Sequence, residues 1–330
     1  MANRKLRKRL ITGAWYITGA NLKHVELYGP REPEHRRTWT AAAIPLILMF
    51  FILGQLITIF GVLKPMGFHQ VDLETQWLPH VIQLLGFGIT AALLLVWVRL
   101  FERRPPSVLG LNGQGLVRYA RGLAVGMGFL CGVIALIWLT GGYRIEGHGV
   151  WAAPSPLLFL PILALFGAFM IQGATEELLM RGWLMQLVAS RHGLVAGIVV
   201  NAVLFALMHG GNIEPSKELV LALANLVLFA VMISLYAIKE GSLWGVCAWH
   251  TAWNWLLGVG FGLEVSGGRI PVQSLVIDLA PNAGAPWWLT GGAFGPEASV
   301  ATTVVLLAGC VYFGATGALQ GAKARAAAFA

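Results

Sequence analysis

Three stretches of this chain set ionisable and amide side chains inside otherwise apolar sequence. They are Thr175-Glu176-Glu177-Leu178-Leu179-Met180-Arg181, Phe205-Ala206-Leu207-Met208-His209 and His250-Thr251-Ala252-Trp253-Asn254. A carboxylate held in an apolar pocket keeps its proton to higher pH than it does in water, and this suits it to general-base work near neutrality. A water between Glu176 and His209 could be deprotonated and attack a carbonyl carbon. His250 and Asn254 would then donate hydrogen bonds to the developing oxyanion. That is peptide-bond hydrolysis with no covalent intermediate. The same Glu176, His209 and His250 could instead ligate Zn²⁺ and leave a position for water. The chain has no HExxH, no GxSxG and no nearby Ser-His pattern that would suggest a serine nucleophile.

Helical spacing divides the labour among these residues. Glu177 and Arg181 are four apart and share a face, where they can form an ion pair. Glu176 is rotated about 100° from Glu177, onto the face that also carries Gln172 and Gly173. Asn201, Phe205 and His209 share a face, as do His250 and Asn254. Counted from the turn near Arg191 at about 1.5 Å per residue, Glu176 lies about 22 Å along one helix and His209 about 27 Å along the next. In an antiparallel hairpin the two can meet. His250 and Asn254 lie about 15 to 21 Å along their own helix by the same rise.

The elements that must position these groups are membrane helices. The chain is 57% hydrophobic and 12% charged, against about 25% charged residues in soluble domains. Its 41 glycines suit helices that approach each other closely. A bilayer core needs about 20 apolar residues per crossing. Such segments run over Thr40 to Leu63, His80 to Leu100, Gly122 to Thr140 and Pro156 to roughly Val188. Four more cover Gly193 to Met208, Leu219 to Ile238, Ser242 to Leu263 and Ala298 to Ala318. The expected fold is therefore an all-α integral membrane protein, a bundle of about eight transmembrane helices. The fourth segment is overlong, either a tilted helix or a span ending near Arg181 followed by an interfacial helix. An ionisable group inside a span costs roughly 3 kcal/mol on insertion scales, so the polar residues of the three stretches mark function.

Charge placement supports the even count. With a cytoplasmic amino terminus, 19 of the 23 basic residues fall inside and only Lys64, Arg144, Lys217 and Arg269 outside, as cytoplasmic loops require. Both termini are then cytoplasmic. Residues 1–39 form a basic cytoplasmic segment without signal-peptide order, residues 40–319 the membrane domain and residues 320–330 a short tail. The net charge of +8 sets topology and meets anionic lipid; it needs no nucleic-acid partner. Cys131, Cys247 and Cys310 lie in apolar spans as packing residues. The segment from Glu264 to Glu297, with Trp287-Trp288, reads as a loop dipping into the outer interface.

Glu-Glu-xxx-Arg, Phe-xxx-His and His-xxx-Asn on successive membrane helices resemble the CPBP (Abi) family, whose eukaryotic relatives are the type II CAAX prenyl endopeptidases. The matching stretch runs from Glu176 to Asn254. The arginine-rich loop at Arg103-Arg104, ending in Leu109-Gly110-Leu111, is similar to that of bacterial members. The resemblance implies an intramembrane endopeptidase of the bacterial plasma membrane, acting on a membrane-associated protein or peptide. It implies that Glu176 and His209 activate water, that His250 and Asn254 form the oxyanion site, and that Glu177 and Arg181 support the first helix. No cofactor is expected. The alternative is a zinc-dependent version ligated by Glu176, His209 and His250. From other classes, a non-proteolytic scaffold or bacteriocin-immunity-type protein would keep the motifs for structure. A transporter would also use intramembrane Glu and His, but the chain shows no matching broken helices in its two halves.

Overall fold

The computed structural model describes residues 26–30, 32–152, 154–318 and 320. Most of the basic amino-terminal segment and the tail beyond residue 320 lie outside the described residues. The helices are α1 (Thr40–Thr58), α2 (Gln70–Thr75), α3 (Trp77–Leu85), α4 (Phe87–Val96), α5 (Gly115–Leu139), α6 (Pro156–Glu177) and α7 (Met185–His192). They continue with α8 (Leu194–Met208), α9 (Lys217–Glu240), α10 (Trp244–Trp255), α11 (Trp287–Thr290) and α12 (Val300–Ala315). Strands β1 (Tyr143–His148) and β2 (Ile277–Pro281) complete the order.

Among the described residues, five helical runs are long and apolar enough to cross a bilayer: Thr40–Leu63, Trp77–Phe101, Gly115–Leu139, Pro156–His192 and Lys217–Glu240. The chain is an integral membrane protein, but helix length does not reach the expected eight. Helices α8, α10 and α12 contain 15, 12 and 16 residues. At about 1.5 Å per residue none of them matches a core about 30 Å thick. Helix α8 nonetheless coincides with the expected Gly193 to Met208 almost residue for residue, α10 runs on as a π-helical stretch Leu256–Gly260, and α12 is shorter than the expected Ala298 to Ala318. The fold is mostly helical, as expected, with one small two-stranded sheet added. Strands β1 and β2 pair antiparallel, Tyr143 opposite Pro281 and His148 opposite Ile277. The partners are far apart in the chain, and no local pattern announces the pairing.

The overlong segment is one continuous helix, Pro156–His192, with a π-helical stretch at Leu178–Leu184 directly after Glu176 and Glu177. Such π turns occur mostly as single interruptions of α-helices, often at functional sites. The helix ends at Gly193, whose φ of 95° suits a residue without Cβ. The chain then reverses into α8, which packs back on α7. Ser216 caps α9 by accepting from the Leu219 N–H, and Ser299 caps α12 by accepting from Thr302.

Helix α10, which carries His250 and Asn254, packs against α5 and α6. Small residues allow the first contact. A Cβ on Gly122 would overlap the Gly245 carbonyl, and one on Gly126 would stand 2.6 Å from the Trp249 carbonyl oxygen. This four-residue spacing is the close-approach device of membrane helices. Gly126→Leu is therefore expected to push α10 outward and cost about 1–3 kcal/mol, the range for overpacking. A lowered thermal midpoint of the purified protein in detergent would register it; an unchanged midpoint would contradict the packing.

Candidate active site

The three polar stretches converge on a cavity of about 270 Å³ lined by Gln172, Glu176, His209, His250 and Asn254. Its walls are otherwise largely apolar and aromatic, with Phe51, Leu84, Phe87, Phe169, Leu179, Met180 and Phe229 contributing. The Thr175 hydroxyl bonds the Phe87 carbonyl at 3.1 Å, tying α6 to α4 beside the site.

Glu177 occupies the centre of the arrangement. Its Oε1 accepts from Arg181 Nη1 at 3.0 Å and from His250 Nδ1 at 2.9 Å. Both Glu177 and Arg181 are 0% exposed. The guanidinium also lies over the rings of Phe205 and Phe229, 4.6 and 5.4 Å from their centroids, where the ring faces attract a cation. The Glu177–Arg181 pair expected from i,i+4 spacing is present, and Glu177 additionally orients an imidazole. A carboxylate cannot donate, so Nδ1 carries the proton and the neutral His250 ring offers a lone pair at Nε2. That atom lies 3.7 Å from Glu176 Oε2, too far for a direct hydrogen bond and open to a bridging water.

Glu176 is held from its other oxygen. Gln172 Nε2 donates to Glu176 Oε1 at 2.6 Å, and Asn254 Nδ2 donates to Gln172 Oε1 at 3.0 Å. Glu176 Oε2 is buried and has no hydrogen-bond partner among the described residues. One Asn254 N–H is committed to Gln172, which leaves the second for a ligand. His209 Nδ1 bonds the Phe205 carbonyl at 2.8 Å, so its Nε2 is the basic atom of the neutral ring. His80 also lines the cavity and has the same arrangement, Nδ1 to the Leu73 carbonyl at 3.2 Å.

Sequence reasoning gave no role to Gln172, placed only on the Glu176 face, and none to His80 or Glu297. Gln172 could have been found from its four-residue spacing to Glu176. Glu297 was read as the end of a loop, yet it is 8% exposed and lines the cavity. Its Oε1 accepts from Trp253 Nε1 at 3.1 Å and its Oε2 from the Ser266 N–H and hydroxyl. Burial pushes its carboxyl pKa up, against the Ser266 and Trp253 bonds, which pull it down. Among the described residues, no three of His, Cys, Asp and Glu are grouped closely enough to hold a metal ion.

Residues 158–256 match the family model for type II CAAX prenyl endopeptidase Rce1-like proteins. No curated protein and no solved structure matches the chain. The matched segment begins in α6, ends just past α10 and contains all six motif residues, while His80 and Glu297 fall outside it. The segment that carries the ordered motifs is thus similar to the Rce1-like type II CAAX prenyl endopeptidases, a likeness that supports a CPBP-family intramembrane protease.

Proposed function

We propose that the protein is an intramembrane endopeptidase that hydrolyses a peptide bond of a membrane-associated protein or peptide. The observation that carries this is the convergence of Glu176 Oε2, His250 Nε2, His209 and the free Asn254 N–H on one apolar cavity. A water lying between Glu176 and the imidazoles gives a proton to the Glu176 carboxylate. Its oxygen bonds to the substrate carbonyl carbon, and the carbonyl π electrons move onto oxygen. Asn254 donates to that oxyanion. His250 joins it only as the doubly protonated ring, because Nδ1–H is already directed at Glu177. Collapse breaks the C–N bond, and the proton held by Glu176 passes to the leaving amine. Glu177 and Arg181 are supporting residues, Glu177 by aiming His250.

The reaction in this proposal uses no metal. Both termini lie on the cytoplasmic side of a bacterial plasma membrane, and the short helices α8, α10 and α12 complete eight passes. The apolar walls suit a substrate segment with large apolar side chains beside the scissile bond. The test offers full-length protein in liposomes two peptides with the same CAAX ending, one prenylated at its cysteine and one not, with products read by mass spectrometry. Cleavage of either, unaffected by prolonged chelation, is expected. Cleavage of neither would favour a scaffold. Activity lost on chelation and restored by zinc alone would overturn the metal-free mechanism.

A further inference from the structure

Glu297 stands outside the matched segment and outside every motif, yet its carboxylate joins parts of the cavity that come from distant stretches of chain. Through Oε2 it holds both the N–H and the hydroxyl of Ser266. Ser266 has a φ of 50°, a left-handed conformation that a non-glycine residue keeps only when its surroundings fix it. The turn around it is tight, Val265 and Gly268 forming an antiparallel bridge. The Gly267 N–H also bonds the Phe294 carbonyl at 3.1 Å. Val265, Ser266 and Gly268 all line the cavity. On the far side of the turn, the Ser266 carbonyl accepts from Asn212 Nδ2 at 2.8 Å, three residues beyond His209. Through Oε1, Glu297 holds Trp253, the residue before Asn254.

We propose that Glu297 is a positioning residue: it clamps the Val265–Gly268 turn over the cavity and thereby fixes where the His209 loop and Asn254 stand. The inference rests on the endopeptidase reading for its kinetic consequence, but the clamp itself is a matter of structure. Gln at 297 keeps the size of the side chain while only one of its two terminal atoms can accept a hydrogen bond. It cannot hold Ser266 and Trp253 from separate atoms. Trp253→Phe removes the indole N–H alone and leaves a ring to stack on Trp249, whose centroid is 4.9 Å away.

The experiment uses full-length protein in liposomes and whichever of the two peptides the wild type cleaves. Glu297→Gln is expected to lower kcat by about 10- to 100-fold, the cost of displacing catalytic groups by about an ångström, with KM within about threefold. A residue that only stabilises the fold would lower the thermal midpoint and leave kcat per folded molecule unchanged. The double variant with Trp253→Phe should lose little beyond the worse single variant, because the two side chains act through one bond. A second arm needs no activity. In protein with Cys131, Cys247 and Cys310 replaced by alanine, Met208→Cys reports access to the cavity through its rate of maleimide labelling. Glu297→Gln should speed that labelling at least about tenfold, since labelling follows the population of the open form. Equal labelling rates would overturn the clamp whatever the kinetics show. A failure of the wild type to cleave either peptide would overturn the endopeptidase reading and leave the labelling result to decide the clamp.

Discussion

Glu176→Gln is expected to lower kcat by about 10³-fold, within the 10²–10⁴ range that a positioned general base contributes. The substitution preserves volume, and the amide oxygen can still accept from Gln172 Nε2. What is lost is the ability to take a proton from water, and the free Oε2 is the atom that would take it. Expression and thermal midpoint should stay near wild type, because Glu176 carries no buried partner charge that its loss would strand. Initial rates on a cleaved peptide, beside a midpoint measured on the same preparation, test this. Full activity in the variant would remove Glu176 from the base role.

The second large effect is on stability. Glu177→Gln leaves Arg181 fully buried without its carboxylate, and breaking one half of a buried pair costs about 3–5 kcal/mol. It also weakens the acceptor that aims His250 Nδ1. Two consequences can be separated with one further variant. Replacing both members of the pair, Glu177→Leu with Arg181→Met, should recover much of the lost stability, since well-packed apolar residues often substitute for buried ions without net cost. It should recover little activity, because His250 then lacks its acceptor. Thermal midpoints and rates for wild type, the single variant and the double variant make the comparison. A double variant as active as wild type would reduce Glu177 to a structural residue.

The sequence disclosed the site more fully than the scaffold. The three motif stretches were visible because ionisable residues are costly in apolar helices, and the i,i+4 relations of Glu177 with Arg181 and of His250 with Asn254 follow from helical spacing alone. The bonds between helices were not visible. That His250 faces Glu177 as well as Glu176, and that Gln172 joins Glu176 to Asn254, depends on how α6 and α10 are rotated about their axes. The π-helical stretch at Leu178–Leu184 changes the phase of the long helix, and nothing in its composition signals the change. Glu297 depends on contacts with Trp253 and Ser266, far off in sequence, and the β1–β2 pairing spans still more of the chain. The end of α12 was overestimated because apolar sequence runs beyond its helical residues, whereas α8 matches the expected segment and α10 continues as a π-helical stretch to Gly260.

The central claim is that this cavity hydrolyses a peptide bond with a water activated by Glu176. Its most direct measurement is product formation by purified wild-type protein and Glu176→Gln, each reconstituted in liposomes with the prenylated and unprenylated CAAX-ended peptides, in water enriched in ¹⁸O. The account predicts that the wild type releases two fragments, the new carboxyl carrying ¹⁸O, and that Glu176→Gln, equally folded, releases them about 10³-fold more slowly. Cleavage at the same rate by both proteins would contradict it.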